Sequence, residues 1–177
     1  MRRASIFLVL APLILSGCGY TTKSLLSENI KTVSVAPVKN AIDVAAEVSD
    51  KNPFRSYRPG VEVDMTNAII NRFVFDGNLK IAPADRADLL VEASVIDYRR
   101  DALRYSAGDD IQEYRLSVTL DAKATERESG KVLWKERLSG DTTFFLSGAR
   151  AKTEDEAAAV AVEDAARRVV EKTNEVW

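Results

Sequence analysis

The chain has 177 residues, 46% of them hydrophobic and 29% charged, with a formal net charge of −2 and no histidine. A near-balanced, slightly acidic charge excludes the basic face that nucleic acid demands, and the lack of histidine excludes His-dependent triads, imidazole acid–base work and His-metal sites. Cys18 is the only cysteine, so no intrachain disulfide is possible, and a chain of this length can bury a core without one.

The chain opens with Arg2 and Arg3, an apolar stretch from Ala4 to Leu15, and the small residues Ser16 and Gly17 before Cys18. This is the pattern of a secretory signal whose removal leaves Cys18 first. The stretch is shorter than the roughly 20 apolar residues of a membrane span, so it is a removable address. The run Leu15-Ser16-Gly17-Cys18 resembles the lipobox of bacterial lipoproteins, which implies a lipid on the Cys18 thiol and acylation of its amino group. Stable anchoring takes more than one acyl chain, at roughly 0.8 kcal/mol per buried methylene. The alternative is a secreted protein with a free or intermolecularly paired thiol. Gly19 stands where inner-membrane lipoproteins of enteric bacteria carry Asp, and that resemblance implies the outer membrane, periplasmic side. Loss of the leader with its two arginines takes the net charge to −4.

Residues 18–30 are polar and mixed, a lipidated tether, and residues 31–177 read as a single domain. Lys31 to Val38 alternates as a first strand, with Val33 and Val35 on one side. Residues 39–60 hold loop formers, among them Pro53, Pro59 and Gly60, with Phe54 and Tyr57 set among basic residues. From Val61 to Asp76 the spacing of Met65, Ile69 and Phe73 predicts a helix, which Gly77 ends. A short strand at Leu79–Ala82 is followed by a stronger one from Leu89 to Ile96. The alternation then breaks at Asp97–Asp101 before resuming with Leu103 and Tyr105, which predicts a bulge or bend.

Ser106–Asp110 supplies a turn. The cleanest strand follows, Tyr114, Leu116, Val118, Leu120, Ala122 and Ala124 alternating with polar residues, and Glu128–Lys131 turns it into an antiparallel partner through Val132, Trp134 and Leu138. Thr153 to Glu156 has the form of a capping box, and a long helix runs from it with Ala158, Val162, Ala165, Val169 and Thr173 in one small-residue stripe. The sum is an α+β two-layer sandwich, two helices packed on one face of a mostly antiparallel sheet of about four strands.

Asp109, Asp110 and Glu113 lack EF-hand spacing, and Asp85 and Asp88 read as a turn entering a strand rather than a paired-carboxylate site. No metal or cofactor is expected. Two basic groups have the chemistry to meet lipid phosphates: Arg99, Arg100 and Arg104 near the bend, and Lys51, Arg55 and Arg58 in the aromatic-containing loop. Ordinary solvated charge is the competing reading of both groups. Of the adjacent Phe144 and Phe145, one must face away from the core, as a partner contact or under the helix end.

Several blocks resemble the lipopolysaccharide-assembly lipoprotein family, LptE. They are Cys18-Gly19-Tyr20, Ile30 to Val35 with Asn40 after it, Thr66 to Phe73, Ala84 to Asp88, Ile96-Asp97-Tyr98, Gly130 to Trp134 and the alanine-rich last helix ending in Trp177. Order and spacing carry the likeness, since none of the blocks is a catalytic signature. The resemblance implies a non-enzymatic outer-membrane lipoprotein that sits inside a large β-barrel partner, LptD, and helps insert lipopolysaccharide into the outer leaflet. It assigns no lipopolysaccharide-contact residue. The alternative is a lipoprotein that activates a periplasmic cell-wall synthase or serves another envelope assembly machine. The dozen or so residues between Cys18 and the first strand extend at most about 40 Å, which disfavours a long reach.

Overall fold

The computed structural model describes residues 30–42 and 58–175. In chain order the elements are β1 (Thr32–Val35), β2 (Lys39–Asn40), α1 (Val61–Asp76), β3 (Lys80–Ile81), β4 (Leu89–Tyr105), β5 (Ile111–Glu126), β6 (Val132–Phe145) and α2 (Glu154–Glu175). One six-stranded sheet runs β3-β1-β4-β5-β6, with β2 on the edge of β4 beyond β1. The fold class is α+β as read, but the sheet is mixed and has six strands rather than about four. β1 runs parallel to both β3 and β4, β2 runs parallel to β4, and only β4, β5 and β6 are antiparallel. The reason is the crossover: a strand followed by a helix returns to the same sheet in the same direction. β3 lies within the short strand expected at Leu79–Ala82, whereas β2 falls in the segment read as loop and has two residues, too few to show alternation.

Both helices cover one sheet face. Val61, Met65, Ile69 and Phe73 are the buried stripe of α1, and the helix stops where Gly77, at φ 75°, gives its amide to the Phe73 carbonyl at 3.0 Å. At the start of α2 the Thr153 hydroxyl accepts from the Glu156 amide at 3.2 Å while the Glu156 carboxylate accepts from the Thr153 amide at 2.8 Å, the reciprocal pair of a capping box. The small-residue stripe of α2 is buried as expected, and it lets the helix lie close on β6. At Gly140 a Cβ would stand 2.2 Å from the Ala161 carbonyl oxygen and 2.3 Å from the Ala165 nitrogen. Only glycine permits that approach.

Register places Val33, Leu89, Val91 and Val95 on the covered face beside Ala124, Leu120 and Trp134. The other face carries Glu92, Lys123 and Lys135 in one row and Ser94, Asp121 and Arg137 in the next. Ion pairs stitch it: Lys123 to Glu92 at 2.8 Å and Arg137 to Asp121 at 2.9 Å. Among the described residues no helix packs on this open face.

Candidate functional site

The register of β4 against β5 slips between Val95 and Asp97, so the predicted bulge falls at Ile96. Its effect is to change phase. Without it Asp97 and Arg99 would follow Val95 onto the covered face; with it Tyr98 and Arg100 do. Tyr98 is fully buried and its hydroxyl donates to Glu154 Oε1 at 3.3 Å. Burial pushes the phenol well above its ordinary value, and the neighbouring Glu154 carboxylate adds to the rise. Arg100 pairs with the same Glu154 and lies 4.8 Å over the Tyr114 ring. Arg58 pairs with Asp155 and lies 3.7 Å from Asp64. Two of the six arginine and lysine candidates, Arg58 and Arg100, are thus held in a knot at the first turn of α2, where the helix dipole already favours carboxylates.

Arg99 and Arg104 point elsewhere. Arg99 pairs with Asp101 at 2.9 Å on the open face. Arg104 is 62% exposed, has Glu113 at 3.4 Å, and stands 5.7 Å over the Phe145 ring. The guanidinium of Arg150 sits 5.6 Å from the same ring, so Phe145 is flanked by two cations. Phe144 is buried, which answers which of the two aromatic neighbours turns outward. Leu103, Tyr105 and Leu146 are exposed around this tip, and a hollow of about 440 Å³ lies between Phe145 and the segment from Ala149 to Lys152. The Ser106 hydroxyl closes the β4–β5 turn by accepting from the amides of Gly108 and Asp110 at 3.1 and 3.2 Å. Lys51 and Arg55, like Cys18, lie outside the described residues. Arg150 was not singled out from the sequence. It is 46 residues from Arg104, and only the pairing of Phe145 beside Arg104 and the turn at Gly148 bring the two together.

The opposite end of β4 receives the chain. Val33 is in register with Leu89, so β1 begins at the far end of the sheet from the Arg104–Phe145–Arg150 tip. The 17 residues of β4 span about 55 Å at a rise of ~3.3 Å each. At the receiving end Asp88 accepts from the Lys31 amide at 3.0 Å, the Thr32 amide at 2.9 Å and the Thr32 hydroxyl at 2.7 Å. The Lys31 amide and the Thr32 hydroxyl hold its carboxyl below the usual range. Asp85 is exposed at the preceding turn and does not join it, so Asp88 is a structural staple rather than half of a carboxylate pair.

A family model for lipopolysaccharide assembly, LptE, matches residues 30–173. The chain belongs to the LptE family. The matched span takes in every element from β1 through nearly all of α2, so membership covers the domain and not a single motif. No curated protein matches the chain in sequence. Among solved structures, protein XCC0632 of Xanthomonas campestris superposes with a TM-score of 0.57 at 16% identity, covering 83% of this chain and 85% of that one. The hypothetical protein CT253 of Chlamydia trachomatis gives 0.53 at 14%, covering 82% and 96%. At such identities these likenesses show the fold alone.

Proposed function

We propose that this protein is a non-enzymatic subunit of an outer-membrane lipopolysaccharide translocon, held on the periplasmic side by lipid on Cys18 and docked in a large β-barrel of the LptD type. Family membership across the folded domain carries the reading. Two features of the molecule support it. The open sheet face is a continuous polar surface of paired charges, the chemistry of a wet barrel lumen. The tip places Arg104 and Arg150 around an aromatic ring, with exposed Leu103, Tyr105 and Leu146 beside them, a combination suited to phosphate and acyl groups on one molecule. The tip lies about 55 Å from the receiving end, more than the roughly 30 Å hydrocarbon core, so a domain docked along a barrel axis reaches from the anchored leaflet to the other one. Of the arginines read as lipopolysaccharide contacts, Arg104 is the best placed, with Arg150 added. Arg99 is a lesser candidate, and Arg58 and Arg100 serve the knot beneath.

Purification from outer membranes tests the docking: the protein should co-purify with a large barrel, and isolation without one would sink the proposal. Depletion should reduce lipopolysaccharide at the cell surface. Charge reversal of Arg104 and Arg150 together should weaken retention of lipopolysaccharide by the purified protein while leaving its melting temperature in place.

A further inference from the structure

β6 is the outermost strand of the sheet, and among the described residues it pairs with β5 and, at Phe145 alone, with Ala151. Three hydrogen bonds fix which of its backbone groups face outward. The Leu146 amide donates inward to the Gln112 carbonyl at 3.1 Å, the Asp141 amide donates to Asp164 Oδ2 of α2 at 3.2 Å, and the Phe145 carbonyl accepts from the Lys152 amide at 3.0 Å. Odd-numbered residues therefore turn their amides and carbonyls away from β5. The distal part of this edge is capped from within the chain at Asp141 and Phe145. Among the described residues nothing caps the part at Lys135, Arg137 and Ser139.

The side chains along that uncapped stretch are selective. Lys135 and Arg137 are the outermost groups on the open face, Arg137 in its pair with Asp121, while Glu136 turns to the helix side and is tied to Lys172 at 2.5 Å. A second copy pairing antiparallel would set these cations against their like, which is unfavourable. An acidic strand meets no such penalty. We infer that the edge of β6 from Lys135 to Ser139 is an acceptor for one extended segment of a protein partner that carries acidic side chains at alternate positions. Main-chain bonds give the affinity and the two cations select the sequence. This inference does not depend on lipopolysaccharide or on a barrel.

Amide hydrogen exchange of the full mature chain, with and without the synthetic peptide (Glu-Val)5, tests it. The peptide should slow exchange at Lys135, Arg137 and Ser139 by about tenfold or more, and (Lys-Val)5 should not. Ser139→Pro removes an outward amide without touching the β5 ladder and should abolish the protection. Should that variant misfold, the double substitution Lys135→Glu with Arg137→Glu should transfer the preference to (Lys-Val)5. Equal action of both peptides, no slowing, or amides already protected in the free chain by its own segments or by dimerisation would each overturn the proposal.

Discussion

The two faces of the sheet are made by the same strands yet are held by different physics. The covered face is apolar, closely packed and intolerant of volume, with α2 in close approach to β6 at Gly140. The open face is polar and exposed, and its ion pairs sit where water screens them. Stability therefore resides on one face, which leaves the other free to be chosen for what it meets. The bulge at Ile96 is where the two sets exchange, handing Tyr98 and Arg100 to the covered side.

Four substitutions, given from most to least damaging, separate the two faces. Gly140→Ala should be the most damaging, about 3 kcal/mol or more in urea unfolding, because its Cβ meets helix backbone that cannot swing aside. Tyr98→Phe should remove about 1 kcal/mol by stripping a buried hydrogen bond from Glu154. It should also change the alkaline limb. The folded state keeps a phenol proton that the unfolded chain releases near pH 10.0, so stability is full below that pH and declines as pH rises through it. Melts taken across that range should show the decline in the parent and lose part of it in the variant.

Asp88→Asn should cost about 1 kcal/mol near neutrality, discounted for partial exposure. Its carboxyl is depressed in the folded state, so the contribution holds above the ordinary value of 3.8 and disappears as pH falls below it. Parent and variant melts should converge there. Arg137→Ala, on the open face, should leave the melting temperature unchanged within error, although its pair with Asp121 has good geometry. A large loss from Arg137→Ala, or tolerance of Gly140→Ala, would dissolve the distinction between the faces.

Much of this was legible in the residues. The stripe of α1, the alternation of β5 and the Thr153–Glu156 box each repeat at a spacing that only one element satisfies. The break at Asp97–Asp101 announced the bulge, because two phases of alternation cannot share one regular strand. The parallel pairing of β1 was hidden, since periodicity reports a strand's faces and not its direction. β3 was readable as the short strand at Leu79–Ala82, whereas β2 lay among the loop formers of residues 39–60, and two residues are too few to alternate. At the tip, Arg104 was readable as a basic residue near a bend, whereas Arg150 acquires meaning only through the ring of Phe145, a neighbour that no local pattern reveals.

The Asp88 staple also has a mechanical meaning. Tension on the chain ahead of Lys31 is delivered along the axis of β1, which lies between β3 and β4 and is parallel to both. Pulling in that direction loads the flanking hydrogen bonds together, in shear, instead of opening them one after another from an end. The three bonds that Asp88 accepts sit at Lys31 and Thr32, where β1 begins, so a pull from the N-terminal side is shared by the sheet before any strand can peel.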